Sequence, residues 1–473
     1  MSFWQNLLGL VLGRNAPSPP GHHEASTPEK PVSTKPVQAE QPVDPSRAPP
    51  APTPAEPAPE LTPVAQVSAL IGKRVRDLIS LGAVDAGVTE ASVSTFITAL
   101  ERITRLPLSQ VTDTLERFEL RRLPTADEAS LTVSQLQAGL RATGFFPGGE
   151  VDGICGYRTQ AAIRLFQEHV RTMDGVSGMR PDGLYGAKTH EHLIRYLTEG
   201  LRMDWQQVAG EHELWVDFLS AMKAKYLTTP DAVTQAVNAF AHPSDTRKPQ
   251  DWVTSAEGEI HLLGVRRSEF DGKFDDIFVL LIKGMVFKFQ GSTEPGASSH
   301  SLGKPFLVQG QHVYNFGWHQ SKYRALRPLH LQDGHGVLII RAGADGQLGQ
   351  DDLERGLEPN FTINIHWAGR GMARNVGNWS EGCQVITGTV YISPKGEIVR
   401  CDEFVGLNNS AVAGSASQTR GAYTLLADLV TALSGDMGTQ RVNYTMITED
   451  DLGSAPEIAN RLQSARTRLM QIL

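Results

Sequence analysis

The chain has 473 residues, 40% of them hydrophobic and 20% charged, which is ordinary globular material with room for several cores. Its 44 Lys and Arg are scattered among 52 Asp and Glu, and a formal net charge of -8 leaves no basic footprint, so nucleic acid is not expected as a partner. The three cysteines, Cys155, Cys383 and Cys401, are too few and too far apart for a metal cluster or a disulfide scaffold, and neither a metal nor a cofactor is expected.

No run reaches the roughly eighteen apolar residues that a bilayer span requires. The segment 1–15 carries Trp4, Leu7, Leu8, Leu10, Val11 and Leu12 without a basic n-region, so it reads as a short amphipathic element and not as a Sec signal peptide. Residues 16–63 are Pro, Ala, Glu, Ser and Thr with almost nothing apolar, the composition of a disordered, semi-stiff linker. Helical spacing returns in 64–125, with Val67, Leu70, Ile71, Val75 and Leu78, and predicts a small helical module.

Residues 128–200 hold an internal repeat. Asp152-Gly153-Ile154-Cys155-Gly156-Tyr157-Arg158-Thr159 is echoed by Asp182-Gly183-Leu184-Tyr185-Gly186-Ala187-Lys188-Thr189, each copy a glycine turn leading into a helix start. Helical runs flank the copies: Val133, Leu136 and Leu140 before, Ala162, Ile163 and Phe166 between, Leu193 and Ile194 after. Three short helices are predicted. Down to Leu136-Gln137, Gly144 and Phe166-Gln167, the segment resembles the three-helix peptidoglycan-binding domain. That resemblance implies contact with glycan or stem peptide, with Asp152, Tyr157, Arg158, Asp182 and Tyr185 as the expected binding residues; the alternative is that the repeated residues only build the fold.

Residues 201–250 read as a helical connector, with Trp205, Val208, Leu214, Trp215, Phe218 and Met222 at helical spacing. Within 255–450 the period changes to strands at Ile260–Val265, Ile277–Ile282 and Met285–Phe289, then a loop from Gly310 to Lys322 and a further run to Arg341. The segment Gly317-Trp318-His319-Gln320-Ser321-Lys322-Tyr323 mixes aromatic, basic and hydroxyl groups suited to a cleft wall, which makes His319 and Tyr323 candidate substrate contacts. An amphipathic C-terminal helix is expected in 455–473.

His366 closes the alternating run Phe361, Ile363, Ile365, which predicts a strand with an imidazole at its end. Cys383 follows in Ser380-Glu381-Gly382-Cys383, where the glycine permits a tight turn and the amides of Gly382 and Cys383 are expected to face an oxyanion. No histidine follows Cys383, so a base for its thiol must lie upstream. This segment resembles the catalytic signature of the L,D-transpeptidase family, in which a strand histidine precedes a Ser/Thr-x-Gly-Cys turn. The family pattern has a second histidine where this chain has Glu381, and Arg or Asn where it has Val385.

The expected architecture is therefore multidomain: a Pro-rich linker, helical modules, a three-helix peptidoglycan-binding domain and a mainly β L,D-transpeptidase-like domain. The resemblance implies a peptidoglycan enzyme in which His366 deprotonates Cys383, the thiolate forms a thioester with a stem-peptide carbonyl and Ser380 supports the loop. Trp379, Glu381 and Arg374 or Arg370 are expected to contact substrate, an arginine by pairing with its carboxylate. Peptidoglycan is the expected partner, reached in the cell envelope or outside the cell by a non-standard route such as a secretion, phage-tail or contractile injection apparatus. The alternatives are a non-catalytic wall-binding or phage-tail protein, and a lysin or antibacterial effector with the same chemistry.

Overall fold

The computed structural model describes residues 131–148, 151, 153, 157–269, 272–296, 303–319, 323–330, 333–343, 349–369, 376–377, 380–405, 419–434 and 440–472. The expected elements at 1–15, 16–63 and 64–125 lie outside the described residues. Three helices open the described chain: α1 (Val133–Ala142), α2 (Tyr157–Met173) and α3 (Ala187–Glu199). A capping box starts α1, with Thr132 Oγ1 accepting from Gln135 N at 3.2 Å and Gln135 Oε1 accepting from Thr132 N at 2.9 Å.

The sequence repeat has a mechanical cause. Gln137 Oε1 accepts from Gly153 N at 3.0 Å while its Nε2 donates to Thr159 Oγ1 at 3.1 Å. Gln167 does the same one repeat later, with Gly183 N at 2.9 Å and Thr189 Oγ1 at 3.1 Å. Each glutamine staples a glycine turn and the next helix start to the helix before it, and both glycines take positive φ, 73° and 78°.

After α3 the chain crosses Trp205 in an extended segment and forms α4 (Glu211–Thr228) and α5 (Ala232–Ala239). Trp205 and Val208, expected to be helical, precede α4; Trp205 is buried with its ring edge-on to His169 and to Phe287, so packing between domains sets its conformation.

The strands are β1 (Thr246–Arg247), β2 (His261–Arg266), β3 (Asp276–Ile282), β4 (Met285–Ser292), β5 (Lys304–Leu307), β6 (Gly310–His319), β7 (Tyr323–Pro328), β8 (Val337–Ala342), β9 (Glu358–Asn360), β10 (Ile365–Trp367), β11 (Gln384–Ile392), β12 (Ile398–Arg400) and β13 (Arg441–Thr448). The order β6-β13-β2-β3-β4-β11-β10-β7 returns to β6 through the β6–β7 pairing, so these strands close a barrel, and β1 and β12 attach at its margins. Closure leaves the ring no open edge for another chain to pair with. A second sheet, β5-β8-β9, packs beside the barrel with α5 and with α6 (Gln350–Glu354). The expected loop at Gly310–Lys322 is mostly strand β6, because its inward residues Tyr314 and Phe316 join the core, and of the run leading to His366 only Ile365–Trp367 forms a ladder, Phe361 being 48% exposed.

Leu262, Phe278, Leu280, Phe287, Phe289, Tyr314, Ile365, Ile386 and Tyr444 face the inside of the barrel. On the opposite face Leu263, Val265, Ile277, Val279 and Leu281 are covered by α4 and by α8 (Pro456–Met470). Burial on both faces is why β2 and β3 read as continuous apolar runs. Each fully buried aliphatic side chain contributes about 1.5–3 kcal/mol.

One helix was not visible as a periodic signal. α7 (Ala422–Leu433) is buried nearly all round, with Tyr423, Leu426, Leu429, Val430 and Leu433 in the main core, and its few polar residues, Thr424, Asp428 and Thr431, are too sparse to mark a solvent face. Tyr423 Oη donates to the carbonyls of Arg324 at 3.0 Å and Ile365 at 3.2 Å, tying α7 to the barrel. Its other side packs on α2. Arg164 grips Asp428 with Nε at 2.7 Å and Nη2 at 2.5 Å, Arg158 donates to the Ser434 carbonyl at 2.5 Å, and Tyr391 donates to Glu168 at 2.6 Å. The helical module and the barrel thereby share one core.

Removing one member of a buried ion pair strands the other charge, at a cost of about 3–5 kcal/mol. Calorimetry on residues 131–473 should show one cooperative transition, shifted to lower temperature by Asp428→Ala; two separate transitions in the unaltered protein would contradict a shared core.

Candidate active site

β10 and β11 run parallel, pairing Ile365 with Gln384 and His366 with Val385. Side chains alternate along strands and Ile365 and Ile386 point inward, so Asn364, His366, Cys383 and Val385 leave the outer face. Strand spacing of ~4.8 Å and a rise of ~3.3 Å per residue place the Cα atoms of His366 and Cys383 about 8 Å apart.

The Cys383 turn is held from within. Ser380 Oγ donates to the Cys383 carbonyl and accepts from Gly382 N, the latter at 3.1 Å. A Cβ on Gly382 would lie 2.5 Å from Pro305 Cγ and 2.9 Å from Ile363 Cδ1, so close packing against β5 demands glycine here. The Gly382 amide is engaged by Ser380, which corrects the expectation that it faces an oxyanion; it fixes the turn instead.

Cys383 Sγ donates to the Thr362 carbonyl at 3.3 Å and accepts from Asn364 N at 3.3 Å. Burial pushes the thiol above its ordinary pKa, the Asn364 amide pulls it back, and the carboxylate of Glu381 pushes it up further. His366 Nδ1 lies 2.9 Å from the Trp367 carbonyl, so Nδ1 carries the proton of the neutral ring and Nε2 the lone pair. Burial lowers the pKa of His366 against the opposing pull of that carbonyl. Thiol and imidazole are therefore both neutral near pH 7, the starting point for general-base activation and not for a standing ion pair.

Tyr323 stands beside this pair, its hydroxyl 3.4 Å from His366 Nδ1 and 3.5 Å from the Trp367 carbonyl. Burial raises its phenol to about 12, so it stays protonated. Glu381 is exposed, and the acceptor that orients the His366 ring is the Trp367 carbonyl. Other upstream histidines are tied into structure: His312 is fully buried between Thr246 Oγ1 at 2.9 Å and the Val308 carbonyl at 3.0 Å, and His330 pairs with Asp245.

Trp379, Arg370 and Arg374 lie outside the described residues, as does the side chain of His319. Sequence reasoning missed Asn364, Arg327 and Arg420. Arg420 stacks over the Tyr323 ring at 4.2 Å and over Trp367 at 5.3 Å, and burial lowers its pKa to about 10. Alternation in Tyr323-Arg324-Ala325-Leu326-Arg327 was the available signal for Arg327, since it puts that residue on the Tyr323 face. Among the described residues no group of three or more His, Cys, Asp or Glu converges as a metal site requires.

In the helical module, three expected ligand contacts have packing roles. Arg158 is 0% exposed and docked on Ser434, Tyr185 is 2% exposed with its hydroxyl 2.9 Å from His190 Nδ1, and Asp182 Oδ1 accepts from Leu184 N at 2.9 Å and Gln167 Nε2 at 3.1 Å. These three positions are corrected from binding to scaffold. Asp152 and the side chain of Tyr157 lie outside the described residues.

Residues 130–193 match the family model described as "Putative peptidoglycan binding domain". The three-helix module is a peptidoglycan-binding domain. No curated protein matches the chain. Among solved structures it is similar to a fused Zn-dependent amidase/peptidase/peptidoglycan-binding domain-containing protein from Clostridium acetobutylicum, at 15% identity over 54% of this chain and 84% of that one, with a TM-score of 0.19. A score that low carries no argument about the barrel or its chemistry. The peptidoglycan-binding domain is followed by a mostly β region, and no described helix is long and apolar enough to cross a membrane.

Because a neighbouring carboxylate disfavours the thiolate, Glu381→Gln should lower the Cys383 pKa. Its alkylation by iodoacetamide at neutral pH should speed up by about two- to fivefold, less than the tenfold of a whole pKa unit, and the gain should shrink in high salt as an exposed charge is screened.

Proposed function

We propose that the protein is a peptidoglycan-directed cysteine acyl-transfer enzyme that works on stem peptides at Cys383. The observation that carries this reading is the parallel pairing of β10 and β11, which sets His366 and Cys383 on the same face of adjacent strands in a chain that also holds a peptidoglycan-binding domain. His366 Nε2 takes the thiol proton as Sγ attacks a peptide carbonyl carbon. The tetrahedral oxyanion is stabilised by the Cys383 amide. Collapse breaks the C–N bond, the departing amine takes the proton from His366, and a thioester remains on Cys383. An incoming amine then gives a cross-link, which is L,D-transpeptidation; water gives a carboxypeptidase or endopeptidase product.

The packing of α2 on α7 supports a working arrangement in which wall binding and chemistry act from one rigid body, since Arg164 and Asp428 hold the two domains at fixed separation. The place of action in this reading is the cell envelope or the extracellular wall, and delivery by a secretion or phage-tail apparatus belongs to the same proposal. The rival, a wall-binding protein without turnover, draws on one observation: burial and Glu381 both hold the thiol neutral.

Muropeptides with tetrapeptide stems, incubated with the protein and with Cys383→Ala and separated by mass spectrometry, test the reading. Loss or exchange of the terminal residue, or new cross-links, should appear only with Cys383 intact. Unchanged muropeptides with both proteins, alongside retained binding to sacculi, would favour the rival.

A further inference from the structure

A buried cation takes no part in the acyl-transfer steps and yet packs on the residues next to His366. Arg420 is 6% exposed and lies two positions before the start of α7. Its backbone is pinned: its N–H donates to Thr424 Oγ1 at 2.6 Å, and it forms an isolated antiparallel bridge with Val405. Gly388 on β11 leaves the room that this requires. A Cβ there would lie 2.5 Å from the Arg420 carbonyl oxygen and 2.9 Å from Trp367 Nε1, so the close approach of Arg420 and Trp367 to β11 depends on a missing side chain.

The Arg420 guanidinium lies 4.2 Å from the Tyr323 ring centroid and 5.3 Å from that of Trp367, and these two rings stand edge-on at 89° with centroids 6.2 Å apart. One cation therefore spans two perpendicular rings. A desolvated cation–π contact is stronger than an exposed one, and a planar guanidinium stacks on aromatic faces as a compact lysine ammonium does not. The same two residues supply the groups that meet Nδ1 of His366, the Trp367 carbonyl at 2.9 Å and the Tyr323 hydroxyl at 3.4 Å. Burial and that carbonyl are what act on the imidazole itself, so the influence of Arg420 on His366 runs through the two aromatic residues.

We propose that Arg420 is a positioning residue for the acyl-transfer site. Its guanidinium holds the Tyr323 and Trp367 rings at right angles, which keeps the Trp367 carbonyl and the Tyr323 hydroxyl on Nδ1 of His366 and leaves Nε2 as the base. This deepens, and rests on, the acyl-transfer reading of the same cleft. Without the cation the two aromatic residues lose their common clamp, the hold on Nδ1–H weakens, and part of the population carries its proton on Nε2, where the ring cannot take a proton from the thiol.

The test separates the two claims. NMR of the full chain with isotope-labelled histidine, at a pH where the ring is neutral and with the His366 signal assigned by its loss in His366→Gln, reads the tautomer without any turnover. The unaltered protein should show the Nδ1–H form alone. Arg420→Met, once thermal melting shows it folded, should show both forms, and Arg420→Lys a smaller share of the second because it keeps the charge without the planar stack. On muropeptides, kcat of Arg420→Met should fall about tenfold with KM unchanged, since Arg420 orients the base and does not hold substrate. The losses from Arg420→Met and Tyr323→Phe should combine to less than their product, as expected of residues on one path. A single unchanged tautomer in Arg420→Met overturns the proposal; should that variant fail to fold, the same result in Arg420→Lys does so. An Arg420-dependent tautomer without any Cys383-dependent turnover would keep the clamp and remove the acyl-transfer reading. Turnover with the tautomer and kcat indifferent to Arg420 would do the reverse.

Discussion

The Arg164–Asp428 pair sits where two domains meet and decides how they behave. α7 is buried on nearly every side, and a helix of that kind needs cover all round, including a partner for its one carboxylate, Asp428. The barrel supplies part of the cover through Tyr423 and the inward residues, and α2 of the peptidoglycan-binding domain supplies the rest. Arg164, buried against Asp428, and Arg158, buried against Ser434, satisfy polar groups that this contact removes from water. Binding module and barrel are consequently one folding unit, and the residues of α2 that face α7 are unavailable to a ligand.

The same economy of contacts shapes the cleft. A parallel pair of short strands fixes where His366 and Cys383 leave the barrel, Ser380 and Pro305 fix the turn that presents the thiol, and the Trp367 carbonyl fixes the imidazole tautomer. None of these interactions charges the cysteine. Burial and Glu381 keep the thiol protonated, so under the proposed acyl-transfer reading the reaction begins with proton transfer to His366.

Much of this was legible in sequence where a local rule governs it. The glycine repeats predicted the three helices because each turn requires positive φ, and the short apolar runs at Ile260–Val265 and its successors predicted strands. The roles assigned to Arg158, Asp182 and Tyr185 did not follow, since repetition marks what the fold needs as readily as what a ligand needs. α7 gave no stripe to read, and Arg327 carried no motif at all: its placement depends on which strands become neighbours, and barrel closure between β6 and β7 is a long-range outcome. Cys383 and His366 stood out as candidates because their spacing and flanking glycine are local, whereas the tautomer of the histidine depended on a backbone carbonyl that only the folded chain supplies.

Acylation of Cys383 is the central claim, and intact-protein mass spectrometry after brief incubation with a tetrapeptide stem addresses it most directly. The account predicts a mass increase equal to the stem without its terminal residue, located on Cys383 by peptide mapping and removed by hydroxylamine as a thioester should be. A protein that binds the stem at saturation and gains no mass on Cys383 at any pH across the titration of His366 would contradict it.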